Sequence, residues 1–132
     1  MRRRIRGSAG NVSLFVVLLL PALMLAAGLV LDGGRQIQAR RDAQGAAAAA
    51  ARAAVQLSPE EAFGHGLDAT RAAARAEAEL GRVGRGGAVS VSGQRVTVRV
   101  EAAVDYLILP GGGRVSQSAT ATPLDGVTGA AP

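Results

Sequence analysis

Hydrophobic positions follow three successive regimes along the chain, and each regime predicts a different element. From Val12 to Leu31 the apolar run is broken only by Ser13, Pro21 and Gly28, and no formal charge occurs between Gly7 and Leu31. At about 1.5 Å of rise per residue, this block covers roughly 30 Å, the thickness of a bilayer's hydrocarbon core. The block therefore predicts a transmembrane helix. Pro21 is tolerated in a spanning helix and marks a candidate kink.

The second regime is alanine-rich. Asp32-Gly33-Gly34-Arg35 leads into Gln36 to Leu57, a proline-free stretch of strong helix formers. It predicts that the helix continues out of the membrane as one rod from about Val12 to Leu57. The paired glycines are its weakest point and a candidate flexible joint. Small side chains from Ala43 to Ala54 let another helix approach closely, which makes this face an expected contact surface. Ser58-Pro59-Glu60-Glu61 then combines a serine N-cap, proline at the first helical position and a carboxylate placed to complete a capping box. Gly64-His65-Gly66 interrupts, and Asp68 offers a second N-cap for a short amphipathic helix over Ala69 to Leu80. Its expected apolar side holds Leu67, Thr70, Ala73, Ala74 and Leu80, with Asp68, Arg71, Arg75, Glu79 and Arg82 on another.

From Ala88 the period becomes two. Val96, Val98, Val100, Ala102, Val104, Tyr106 and Ile108 alternate with more polar residues, the pattern of a strand buried on one face. Ser92-Gly93-Gln94-Arg95 suits a type II′ hairpin turn, which places Val91 opposite Val96 and Val89 opposite Val98. A second turn region at Pro110 to Gly113 precedes a third alternating segment with Val115, Ala119 and Ala121. The predicted class is α+β: a single-pass membrane protein with a long N-terminal helix, a short second helix and a three-stranded antiparallel β-meander. The expected divisions are a basic cytoplasmic arm (1–11), the span (12–31), the helical extension (32–57), the capped turn and second helix (58–81), the meander (88–122) and a flexible tail (123–132).

Charge then sets the expected topology. The chain's formal +5 is local, since Arg2, Arg3, Arg4 and Arg6 carry +4 and the remaining eleven arginines face ten carboxylates. The positive-inside bias places the N-terminus in the cytoplasm, the span in the cytoplasmic membrane and the residues beyond Asp32 outside, with membrane lipid as a partner. With two phenylalanines, one tyrosine and no tryptophan, base stacking has little to draw on, and nucleic acid is excluded as a partner. A competing reading is cleavage at Ala26-Ala27-Gly28 by signal peptidase, releasing a small secreted binding domain. The apolar run continues through Leu29, Val30 and Leu31 past that cut, which favours a retained anchor.

Candidate chemistry is sparse. The absence of cysteine removes disulfides and thiolate metal sites. The single histidine, His65, sits between glycines without ligand-spaced partners, and Ser58, His65 and Asp68 are too close in sequence for a triad held on separate scaffold positions. The glycine clusters match no phosphate-binding pattern. No catalytic, cofactor or metal site and no small-molecule substrate is expected. Asp32 and Arg35, one turn apart at the end of the span, either pair locally or across to a neighbouring subunit, or remain solvated interfacial charges, the reading favoured from sequence.

The arginine-rich start, Gly10-Asn11-Val12-Ser13-Leu14, the span with Leu20-Pro21-Ala22-Leu23, and Asp32-Gly33-Gly34-Arg35 with Arg40 and an alanine-rich helix resemble the TadE/TadG-like family of Flp (tight-adherence) pilus assembly. The resemblance implies a pilin-like architecture in a bacterial membrane and contacts with other Tad/Flp assembly proteins, or with a second copy through helix packing. Members processed as pseudopilins carry a glycine followed by a glutamate at the fifth mature residue. Counted from Gly10 that position is Phe15, and from Gly7 it is Val12. The resemblance therefore implies the uncleaved, TadG-like branch, with the span, the alanine face and the sheet edges as contact surfaces.

Overall fold

In the computed structural model, which describes residues 9–124, a single helix α1 (Ala9–Ala54) carries everything else. Arg2, Arg3, Arg4 and Arg6, and residues 125–132 of the expected tail, lie outside the described residues. At 46 residues α1 is about 69 Å long. It runs through Pro21 and through the expected joint at Gly33 and Gly34. Its first half is bare: Leu14, Val17, Leu18, Leu23, Met24 and Leu29 are all exposed, and 6% of its most apolar window is buried. The length and hydropathy suffice to cross a membrane.

The second half of α1 is covered by a small head. After Pro59, which disfavours helical backbone at Ser58, come a π-helical turn (Glu61–His65), α2 (Ala69–Arg82), β1 (Gly87–Ser92), β2 (Arg95–Asp105) and β3 (Gly112–Ala121). The strands form an antiparallel sheet in the order β1-β2-β3. Val91 pairs with Val96 and Val89 with Val98, the register predicted from the turn. Gly93 supplies the positive φ of +59° that the first central residue of a type II′ turn requires.

The core is a meeting of valines with alanines. Val96, Val98 and Val100 of β2 are fully buried, as are Ala43, Ala47, Ala50 and Ala54 of α1. Each valine so removed from water contributes about 1.5–3 kcal/mol. The small α1 side chains let the sheet lie close to the helix backbone. This narrows one expectation: within the alanine face, Ala43, Ala47, Ala50, Ala51 and Ala54 are covered by the chain's own sheet and α2.

Two further expectations change. The buried stripe of α2 is Ala72, Ala76 and Leu80, whereas Thr70 and Ala74 are exposed. Ala72 and Ala76 stand two and one helical turns before Leu80, while Ala74, six residues away, lies about 240° round the helix. Arg75, expected on the solvent side, borders that stripe and is half-buried. The alternation of β2 also stops early: the strand ends at Asp105, so Tyr106 and Ile108 do not belong to it. The amides that would have extended the ladder go elsewhere.

Candidate functional site

Asp32 is the most unexpected residue of the chain. It lies one residue beyond the apolar run, yet it is 2% exposed. Its Oδ1 accepts the backbone N–H of Leu107 at 2.8 Å, and its Oδ2 accepts those of Ile108 at 3.2 Å and Leu109 at 2.9 Å. A carboxylate from α1 thus gathers three consecutive amides of the β2–β3 connection, about 75 residues away in sequence. The Leu107 amide, then the Leu109 amide, hold the Asp32 carboxyl below its usual range, with smaller help from Ile108 and Arg35, against the opposing effect of burial.

The sequence makes room for this contact. One turn before Asp32, Gly28 is buried, and a Cβ built there would stand 2.6 Å from Ile108 Cγ2. Only glycine lets the loop settle onto the helix. Gly28 and Asp32 begin a stripe that continues, at steps of three and four residues, through Gln36 and Ala39 to Ala43, Ala47, Ala50 and Ala54. The head is therefore seated on α1 along one face, and the Asp32 clamp is the end of that seat nearest the span.

Asp32 does not behave as a solvated interfacial charge, whereas Arg35 remains exposed. Asp32 is taken up by the loop, and the Arg35 guanidinium instead reaches the Asp105 carbonyl oxygen at 3.5 Å. The alternatives weighed from sequence omitted this partner. The signal available was the apolar quartet Leu107-Ile108-Leu109-Pro110 in a turn region where polar residues are usual.

A second buried carboxylate organises the other end of the head. Glu61, 5% exposed, receives the Ser58 N–H at 2.8 Å while its own N–H is 3.4 Å from Ser58 Oγ, completing the capping box. It also receives the Asp68 N–H at 3.1 Å and the N–H groups of both terminal guanidinium nitrogens of Arg75, at 2.9 and 3.1 Å. The Arg75 pair is the main cause holding the Glu61 carboxyl far below its usual range, followed by the Ser58 amide. The capping box was legible from Ser58-Pro59-Glu60-Glu61. The Arg75 fork was not.

Catalytic alternatives find little geometry. Ser58 is engaged in the capping box and Asp68 caps α2 by accepting the Arg71 N–H at 2.9 Å. The His65 side chain lies outside the described residues. Among the described residues, no group of three histidine, cysteine or carboxylate side chains is placed to hold a metal ion. The shallow cleft beside Glu61, lined by Glu60, Gly66, Leu67, Asp68 and Arg71, is bridged by an exposed Glu60–Arg71 ion pair at 3.0 Å.

No curated protein and no solved structure matches the chain. A family does match over residues 10–57, described as putative Flp pilus-assembly TadE/G-like, a description that joins the two branches. The matched residues are α1 and the three that follow it, up to the capping serine. Over those residues the bare apolar helix and its alanine-rich extension are similar to the TadE/G-like Flp pilus-assembly family.

Proposed function

We propose that the chain is a membrane-anchored, non-enzymatic structural component of Flp-type pilus assembly, acting through protein–protein contacts. The observation that carries this reading is the coincidence of the family match with a helix whose first half has almost no partner within the chain. A helix of exposed leucine and valine needs lipid or other helices around it. Arg2, Arg3, Arg4 and Arg6 support an orientation with the N-terminus in the cytoplasm and the head outside. Phe15 and Val12, standing where a processed pseudopilin carries glutamate, support an uncleaved anchor of the TadG type. With the buried alanines of α1 covered from within, the contact surfaces favoured are the span and the edges of β1 and β3.

Deletion of the gene in its own host, with pili counted by electron microscopy and restored by the full-length chain, tests the assembly role. Unchanged piliation rejects it. Intact-mass measurement of membrane-extracted protein tests the anchor: an unprocessed N-terminal helix is expected, and loss of about one hydrophobic segment's worth of residues supports secretion instead.

A further inference from the structure

We propose that the Leu107–Pro110 loop enters the outer surface of the bilayer alongside α1, so that the head holds the membrane at two points. The proposal rests on the reading of the first half of α1 as a span. Its first support is position. Ile108 sits on Gly28, inside the uncharged run and about 6 Å before Asp32 along the helix axis, where the neighbouring helical residues Leu29, Val30 and Leu31 are exposed. Whatever surrounds those residues also meets the loop.

The second support is chemistry. Leu107 is 63% exposed and Ile108 45%, although the loop has a buried core within reach. A solvent-facing turn usually carries polar side chains. An irregular loop at the bilayer surface is least costly where its backbone N–H groups already have partners. Here the N–H groups of Leu107, Ile108 and Leu109 are all taken by Asp32, and Pro110 has none. The four residues offer lipid no free amide donor. Asp32, itself covered by the loop, brings no exposed charge. Just above, Arg35 and Asp105 mark the return of charge.

The occupant is phospholipid, because the exposed face of the loop is continuous with the exposed face of the span. The chain lacks cysteine, so single-cysteine variants carry one environment-sensitive fluorophore each. Leu107→Cys, Leu19→Cys in the span and Ser118→Cys on the outer face of the sheet are reconstituted, as full-length protein, in phosphatidylcholine–phosphatidylglycerol vesicles. Quenching is read with aqueous iodide and with lipids bearing a nitroxide near the headgroup or deep in the acyl chain. The expected result is several-fold stronger quenching at Leu107 by the shallow nitroxide lipid than by iodide, deep-lipid quenching at Leu19, and iodide quenching at Ser118. Adding Asp32→Asn is expected to shift Leu107 toward iodide. Iodide quenching at Leu107 with Leu19 still deep overturns the loop proposal alone. Protection of Leu107 from both quenchers also overturns it, in favour of a second copy of the chain over the loop. Loss of deep quenching at Leu19 overturns the spanning reading, and the loop proposal with it.

Discussion

The two buried carboxylates of this chain solve one physical problem in opposite ways. Glu61 is neutralised by a cation: the Arg75 guanidinium meets it through two nitrogens, and two backbone amides complete its shell. Among the described residues Asp32 has no such cation within bonding distance, and it relies on three amides from one loop. Glu61 joins elements that are close in sequence, fixing the start of the π-helical turn, the cap of α2 and the α2 face in one knot. Asp32 joins distant elements, the end of the span and the β2–β3 loop. A knot between local elements holds the head together; a clamp between distant ones sets where the head sits on α1. The difference predicts that breaking Glu61 unfolds, whereas breaking Asp32 only detaches.

The largest expected effect follows from Glu61→Ala. It leaves the Arg75 charge half-buried without an ion partner, and Arg75 Nε already lacks a hydrogen-bond acceptor. Removing one member of a buried pair is strongly destabilising. The thermal unfolding midpoint of the head in detergent micelles is expected to fall by about 10 °C or more, given roughly 4–8 °C per kcal/mol for domains of this size. Circular dichroism melting checks this. A wild-type midpoint would show that Arg75 and Glu61 are not a knot.

Acid should act next, through both carboxylates and with one sign. Each is lowered in the folded state, so the folded form binds its proton less readily than the unfolded chain. Their stabilisation is complete above the unfolded carboxylate values, about 4, and is lost as pH falls from there through the lower folded values. Melting midpoints are expected to be flat between about pH 5 and 7 and to decline below about pH 4. In Glu61→Gln the acid decline should be markedly shallower, and a curve unchanged in slope would assign the acid loss to other groups.

How much of this was readable beforehand follows from distance along the chain. Val96, Val98 and Val100 announced a strand by period, and Ser92-Gly93-Gln94-Arg95 set the hairpin register, because both signals lie within a few residues. The Ser58–Glu61 box was readable for the same reason. From sequence Asp32 reads as solvated, because its three partners stand beyond the reach of any local pattern. The alanine run illustrates a different gap. Small side chains declare that something packs closely, but Ala47 says nothing of whether the occupant is another molecule or Val98 of the same one. For α2, the polar borderline residue Arg75 was assigned by its charge, although its aliphatic stem lets it flank an apolar stripe and reach Glu61.

Asp32→Asn sharpens the comparison from the other side. The amide keeps one oxygen to accept and brings an NH2 that cannot, so at least one of the three loop amides loses its acceptor. The melting midpoint of the head should move by no more than a few degrees. Hydrogen exchange at the amides of Leu107, Ile108 and Leu109 should nevertheless accelerate several-fold. A global drop as large as that of Glu61→Ala would mean that the clamp is part of the core and not of its seating.

The smallest effect concerns the glycines that flank the clamp. A Cβ at Gly33 or Gly34 meets nothing within 4 Å, whereas one at Gly28 collides with Ile108. All three lie in α1, so helix propensity alone favours alanine at each by about 1 kcal/mol. Gly33→Ala and Gly34→Ala should therefore slow amide exchange in the following turn by up to about fivefold each, the equivalent of 1 kcal/mol. Gly28→Ala should do the reverse at Leu107 to Leu109, since the new methyl lifts the loop off Asp32. If the double variant at Gly33 and Gly34 also abolished piliation while the head melted normally, the rod's lack of stiffness just beyond the clamp would itself be functional. If piliation were unchanged, those two glycines would be only a weak place in a helix that the clamp already steadies.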